Sequence, residues 1–272
     1  MGKIVAVANQ KGGVGKTTTS INLAASLAAT KRSVLLVDVD PQGNATMGSG
    51  IDKHDLEQSA YEVLVQGARP EDVRVRSGCG SFDVLPSNDD LTAAEIELFT
   101  TPNKESRLRF ALMRVKHEYE YILIDCPPSL NMLTLNALVA ADGVLIPVQC
   151  EYYALEGLTS LLNTVARVQK VLNPGLRIEG LLRTMFDARN TLTNEVSSQL
   201  IGHFGSRVFT TLIPRNVRLA EAPSHGQPAL TYDATSRGAI AYLAAAAELL
   251  RRHGKSPRVV EVPCANENTE PA

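Results

Sequence analysis

A chain of 272 residues holds one large domain or two small ones and has ample volume for a buried core. With 44% hydrophobic and 21% charged residues, 19 Gly and 14 Pro, it is neither a disordered acidic polymer nor a low-complexity or collagen-like chain. The net charge is −2 and no stretch approaches the roughly 18–20 consecutive apolar residues of a bilayer span, so nothing points to a transmembrane segment.

The first apolar run, KIVAVAN (3–9), predicts a strand, and NQKGGVGKTTTS (9–20) follows it directly and opens a helix over 16–30. A strand, a glycine loop and a helix start are the context of a phosphate-binding loop. Gly12, Gly13 and Gly15 let backbone N–H groups turn inward, and the helix N-terminus adds partial positive charge. Gly12, Gly13, Val14, Gly15, Lys16, Thr17 and Thr18 are therefore expected to hold ATP, with Lys16 at the β- and γ-phosphates and the Thr17 hydroxyl on Mg²⁺. The usual G-x-x-x-x-G-K-T spacing is not met, because Gln10 stands at the first glycine position and an extra lysine, Lys11, precedes the glycines.

The second run, VLLVDVD (34–40), ends in Asp38 and Asp40, which a period of two points to the same side at the carboxyl end of a strand, where parallel sheets bind ligands. Asp40 is the candidate to orient the water that attacks the γ-phosphate; a turn or cap before Pro41 would also use an aspartate here. After FDVLP (82–86) and a helix over 104–118, YILIDCP (121–127) carries Asp125 at its end, the pattern of a carboxylate that holds Mg²⁺ through water. Cys126 reads as packing. Helices near 131–141, 155–172 and 191–204 then alternate with strands at 143–149, 177–186 and 208–214. The order predicts an α/β fold of three layers, a mostly parallel twisted sheet with helices on both faces, as one domain over 1–254.

Charge is unevenly placed: residues 1–180 carry 17 basic and 21 acidic side chains, whereas 181–255 carry 9 and 5, and eight of those nine are Arg. Arginine's planar fork suits phosphate, which makes this segment a candidate nucleic-acid face. The segment 236–253 predicts a last helix, closed by Arg251, Arg252, His253 and Gly254. The remaining KSPRVVEVPCANENTEPA (255–272) predicts a disordered tail with no amphipathic membrane helix. Cys79, Cys126, Cys150 and Cys264 are scattered, without a C-x-x-C pair, and the expected compartment is the cytoplasm.

The loop with its early lysine resembles the deviant Walker A ATPases, and DPQGNAT (40–46), IDCPPSL (124–130), PVQCEYYALEGL (147–158) and IPRNVRLAEAPSHGQP (213–228) extend the resemblance to the chromosomal ParA/Soj partition ATPases that lack an N-terminal DNA-binding domain. The resemblance implies a P-loop fold and an ATP-sandwich homodimer in which Lys11 reaches the phosphates of the other subunit, with Asp40 preparing the water and Asp38 nearer the metal shell, a further candidate through water. It also implies non-specific binding of double-stranded DNA, slow hydrolysis stimulated by a ParB-type partner, association with the nucleoid and no membrane contact. DNA contacts carry over to Arg189 and Arg218, with Arg215 a candidate from charge; local ion pairs with Asp187 or Glu221 would equally use Arg189 and Arg218. Pro214 and Asn216 take the adenine position, although Asn216 would also serve as a helix cap. Gly12 must stay small if a second backbone packs on it, or if the turn there needs a positive φ. The alternatives are a related ATPase that positions another cargo on the nucleoid and a small-molecule amide ligase with the same loop.

Overall fold

The computed structural model describes residues 2–152 and 154–256. Strands β1 (Lys3–Val7), β2 (Val34–Asp38), β3 (Val75–Arg76), β4 (Asp83–Leu85), β5 (Tyr121–Asp125), β6 (Gly143–Gln149), β7 (Arg177–Phe186) and β8 (Val208–Pro214) form one sheet in the order β3-β4-β2-β5-β1-β6-β7-β8. All neighbours are parallel except β3 and β4. The helices among the described residues are α1 (Lys16–Ala29), α2 (Asn44–Met47), α3 (Pro70–Val73), α4 (Leu91–Glu97), α5 (Arg107–Val115), α6 (Met132–Ala140), α7 (Ala154–Val171), α8 (Thr191–Phe204), α9 (Val217–Glu221), α10 (Ala229–Tyr232) and α11 (Arg237–Arg252).

The strands read as unbroken apolar runs because both faces of the sheet are covered. Ile4, Ala6, Leu35, Val37, Ile122 and Ile124 pack into one core layer beneath α4 to α8, while Val5, Leu36, Leu123 and Tyr121 pack into the other beneath α1, α10 and α11. Adjacent residues thus enter opposite cores, as a period of two requires. Helix α1 is buried on nearly every side, and its Thr19 hydroxyl meets the Tyr242 hydroxyl of α11 at 3.0 Å. Buried hydroxyls need such partners, and this one locks the first helix to the last.

Seven strands and six long helices lie where periodicity places them, and the predicted α/β layers are the observed ones. Strand β3 escapes periodicity: two residues, antiparallel on the sheet edge, are too short to show a period. The first strand closes at Val7, short of Asn9, because the Asn9 side chain leaves the ladder to donate to the Pro147 carbonyl (2.7 Å) and accept from Lys11 N (3.0 Å). At the other end, the first two residues of the predicted tail (255–272) are held, Lys255 N donating to the Leu250 carbonyl (2.8 Å) and Arg32 to the Ser256 carbonyl (2.7 Å), and the rest of it, with Cys264, lies outside the described residues. No helix among the described residues is long and apolar enough to cross a membrane.

Candidate functional site

The sheet order sets β2, β5 and β1 side by side, and their carboxyl ends build the site. Asp38 and Asp125 are register partners, as are Val7 and Asp125, so the two carboxylates stand together just below the loop that leaves β1. Asp125 accepts from Thr17 Oγ1 (2.8 Å) through one oxygen and from Ser20 Oγ (2.7 Å) through the other. Asp38 accepts from Thr46 N (2.9 Å), Thr46 Oγ1 (2.8 Å) and Asp40 N (3.1 Å). Both are fully buried; burial and the neighbouring Asp38 push Asp125 up to about 8, and burial pushes Asp38 up to about 6 against the Thr46 hydrogen bonds. Two buried carboxylates side by side favour whatever brings positive charge, and a hydroxyl with carboxylate oxygens is a donor set suited to Mg²⁺. Both oxygens of each carboxylate are engaged by protein donors, and of the pair it is Asp125 that touches the loop threonine.

Asp40 lies beyond the end of β2, 8% exposed, with Oδ1 accepting from Gln42 N (3.0 Å) and its carbonyl accepting from Ser87 Oγ (2.7 Å). That turn fixes the direction of the carboxylate at the strand end.

In the loop, Gly13 (φ +72°) and Gly15 (φ +84°) adopt the left-handed conformation, Gly15 at the start of α1. Only glycine enters it without strain. Gly12 does not, and a Cβ there would meet nothing within 4 Å, so of the two reasons for a small residue the turn is excluded. Lys16 is buried, donates to the Lys11 carbonyl (3.2 Å), and has its pKa lowered by that burial against the pull of Asp125. Lys11 is not free in the loop: its ammonium pairs with Glu151, just past β6, at 2.6 Å.

Beside Gly15 and Thr18 a cavity of about 240 Å³ is walled by Thr184, Met185, Pro214, Asn216 and Tyr242. Asn216 precedes α9 without capping it, and its buried Oδ1 has no hydrogen-bond partner. That oxygen lies against Gly238, where an added Cβ would come within 3.1 Å of it, and a buried amide oxygen left unpaired can still accept a hydrogen bond. Sequence reasoning missed Ser20, Glu151, Thr46 and Met185. Ser20 sits one helical turn after Lys16 and could have been found by spacing; the others meet the site only through the fold.

Phe186 and Pro214 are register partners at the ends of β7 and β8, so the two arginine-bearing segments leave the sheet at one corner, next to that cavity. Arg189 is 90% exposed in its side chain and pairs with Asp187 (2.8 Å); Arg218 pairs with Glu221 (2.8 Å) and Asp233 (3.3 Å). Arg215 is exposed, with no ion pair to it found among the described residues.

A family model described as an AAA domain matches residues 2–178. The sporulation initiation inhibitor protein Soj of Bacillus subtilis is 57% identical over 249 residues, covering 92% of this chain and 98% of Soj. The chromosome partitioning protein ParA of Myxococcus xanthus is 51% identical over 259 residues, covering 95% and 92%. The chain belongs to the ParA/Soj ATPase family. Among solved structures, the cobyrinic acid a,c-diamide synthase of Mycobacterium smegmatis with bound ADP and magnesium superposes with a TM-score of 0.82 at 38% identity, over 97% of this chain and 100% of that one. In this ParA/Soj-type ATPase, Gly15 and Thr18 of the loop also line the cavity, while the Asp38–Asp125 pair lies buried beneath the same loop at the strand ends.

Proposed function

We propose that this ParA/Soj-type ATPase is an ATP-driven DNA-segregation switch, acting as a single domain over residues 1–254 on the nucleoid. The observation that carries the proposal is the corner where β7 and β8 end: the residues that wall the base cavity, Met185, Pro214 and Asn216, are within a few positions of Arg189, Arg215 and Arg218. Nucleotide and DNA are read by the same two strand ends.

In this reading Lys16 and the loop N–H groups of Gly12 to Thr18 hold the phosphates of ATP, and Pro214 with Asn216 holds the adenine. Thr17, Asp125 through water, and Asp38 farther out form the Mg²⁺ site; the ion, when bound, supplies charge that stabilises the phosphoryl oxygens. Asp40 orients the attacking water and accepts its proton. Lys11 exchanges Glu151 for the phosphates of a second copy. Gly12 supports that step, since no atom of its own chain comes close enough to demand a glycine there. Dimerisation doubles the arginine–phosphate contacts, and because the logarithm of affinity falls by about 0.9 per contact per logarithm of salt, a weak monomer becomes a salt-sensitive dimeric binder of double-stranded DNA. Turnover is slow until a ParB-type partner completes the site.

The test is ATP hydrolysis by the purified chain alone, with DNA, and with DNA plus a ParB-type protein. A rise of tenfold or more only with the partner is expected; an unchanged rate would sink the partner-stimulated cycle. A second reading, ATP-dependent amide synthesis on a small carboxylic acid, is favoured by the name of the Mycobacterium smegmatis structure. It predicts turnover that depends on an acid and an amine donor and is indifferent to DNA.

A further inference from the structure

The arginines assigned above to DNA do not stand alone. Arg189 is held by both oxygens of Asp187, Nε to Oδ1 at 2.9 Å and a terminal nitrogen to Oδ2 at 2.8 Å. Arg218 lies between Glu221 (2.8 Å) and Asp233 (3.3 Å). Three carboxylates thus hold two of the arginines, Arg189 and Arg218, and with Arg215 counted in, these six groups carry no net charge. A polyanion is bound by charge it can neutralise, so a self-neutralised corner is a poor DNA face.

Two of these carboxylates also shape their own turns, Asp187 accepting from Arg189 N (3.1 Å) and Asp233 from Thr235 N (3.1 Å) and Thr235 Oγ1 (2.8 Å), but neither role requires an arginine side chain. Solvent-accessible ion pairs add little to stability, and all three carboxylates are partly exposed. The carboxyl of Asp187, held down to about 2 by its hydrogen bonds from Arg189, stays charged at every physiological pH.

We propose that Asp187, Glu221 and Asp233 restrain the DNA face in cis: each carboxylate occupies an arginine that must be exchanged for a phosphate, which keeps a single protomer off DNA and leaves binding to the doubled contacts of the dimer. The proposal rests on the DNA reading of Arg189 and Arg218 and adds to it the residues that oppose them. In chemical terms the partner is the phosphate backbone of duplex DNA, read without sequence.

The variants that test this leave the local structure in place. Asp187→Asn keeps an Oδ1 acceptor for the Arg189 N–H, a 3.1 Å bond that shapes the turn, and removes the charge together with the second acceptor (2.8 Å) that holds the Arg189 guanidinium. Glu221→Gln likewise removes the charge beside Arg218. Each is measured for binding to a mixed-sequence DNA duplex, with ADP and with a non-hydrolysable ATP analogue, at several salt concentrations and with molecular mass in parallel. Each single variant is expected to tighten binding about 3- to 10-fold near 0.1 M salt, the size of the repulsion between a carboxylate and a phosphate about 6 Å apart at a surface, and less at higher salt. The double variant with ADP is expected to show DNA binding that the parent lacks. Equal or weaker binding by Asp187→Asn and Glu221→Gln, alongside lost binding by Arg189→Glu and Arg218→Glu, would overturn the restraint and leave the DNA face standing. Unchanged binding by the two arginine variants would instead remove the face itself.

Discussion

Replacing Asp40 by Asn isolates the chemical step from the fold. The Asn side chain keeps an Oδ1 acceptor for Gln42 N, and the backbone of residue 40 stays tied by the Ser87 hydroxyl (2.7 Å) and by Gly43 N (2.9 Å). Each of these hydrogen bonds is kept, and the charge removed is one that the buried Asp38 and Asp125 oppose, so the fold should not be destabilised. The phosphate loop, Thr17 and Asp125 are untouched, so ATP should bind within about threefold of the parent. Hydrolysis is different: an oriented carboxylate that takes a proton from water contributes about 10²–10⁴ in rate, which at about 1.4 kcal/mol per decade is about 3–5.5 kcal/mol of barrier. Single-turnover hydrolysis, with equilibrium binding of an ATP analogue measured on the same sample, separates the two effects. Retained binding with a rate lowered at least a hundredfold supports the role; a rate within tenfold of the parent removes Asp40 from the mechanism.

The two kinds of glycine in the loop predict opposite outcomes. Gly12→Val meets open space at ordinary φ, so unfolding should be within about 0.5 kcal/mol of the parent while the ATP-dependent doubling of mass is lost; retained doubling would refute the close approach. Gly15→Ala at φ +84° should instead lower stability by about 1–2 kcal/mol in urea unfolding, even before nucleotide is added. Glu248 of α11 accepts from Thr210 N, Thr210 Oγ1 and Thr211 N at 2.8–2.9 Å, which binds the last helix to β8. Burial pushes its carboxyl up, but the hydrogen bonds from Thr211, Arg252 and Thr210 prevail and hold it at about 2, below the ordinary 4.5. Its ionised form therefore stabilises the fold above pH 4.5, and that stability is lost as pH falls towards 2. Glu248→Gln should cost about 1–3 kcal/mol at pH 7 in urea unfolding, with the gap to the parent closing between pH 4.5 and 2; a gap independent of pH would contradict the assignment.

Much of this molecule is legible along the chain because its strands are buried on both faces and its connections are helices. Runs such as VLLVD and YILID announce themselves without alternation, and the glycine loop, Asp40 and Asp125 fall at their ends. What stays hidden depends on partners far apart in sequence. Glu151 follows β6 by two residues and meets Lys11 only because β6 lies beside β1. Met185 takes a positive φ (50°) beside a cavity that no local pattern marks. The basic excess of residues 181–255 is visible by counting, yet counting does not show that Asp187, Glu221 and Asp233 stand against its arginines. Charge totals describe a segment, and the fold decides which charges face outward unpaired.

Binding to mixed-sequence double-stranded DNA in the presence of ADP, ATP or a non-hydrolysable ATP analogue, across a salt series and with mass recorded at each point, tests the switch most directly. The account predicts a monomer with negligible DNA affinity in ADP, and in the analogue a dimer whose affinity falls steeply with salt, by about 0.9 logarithmic units per phosphate contact. Equal DNA binding in all three nucleotide states, or none in any of them, would contradict it.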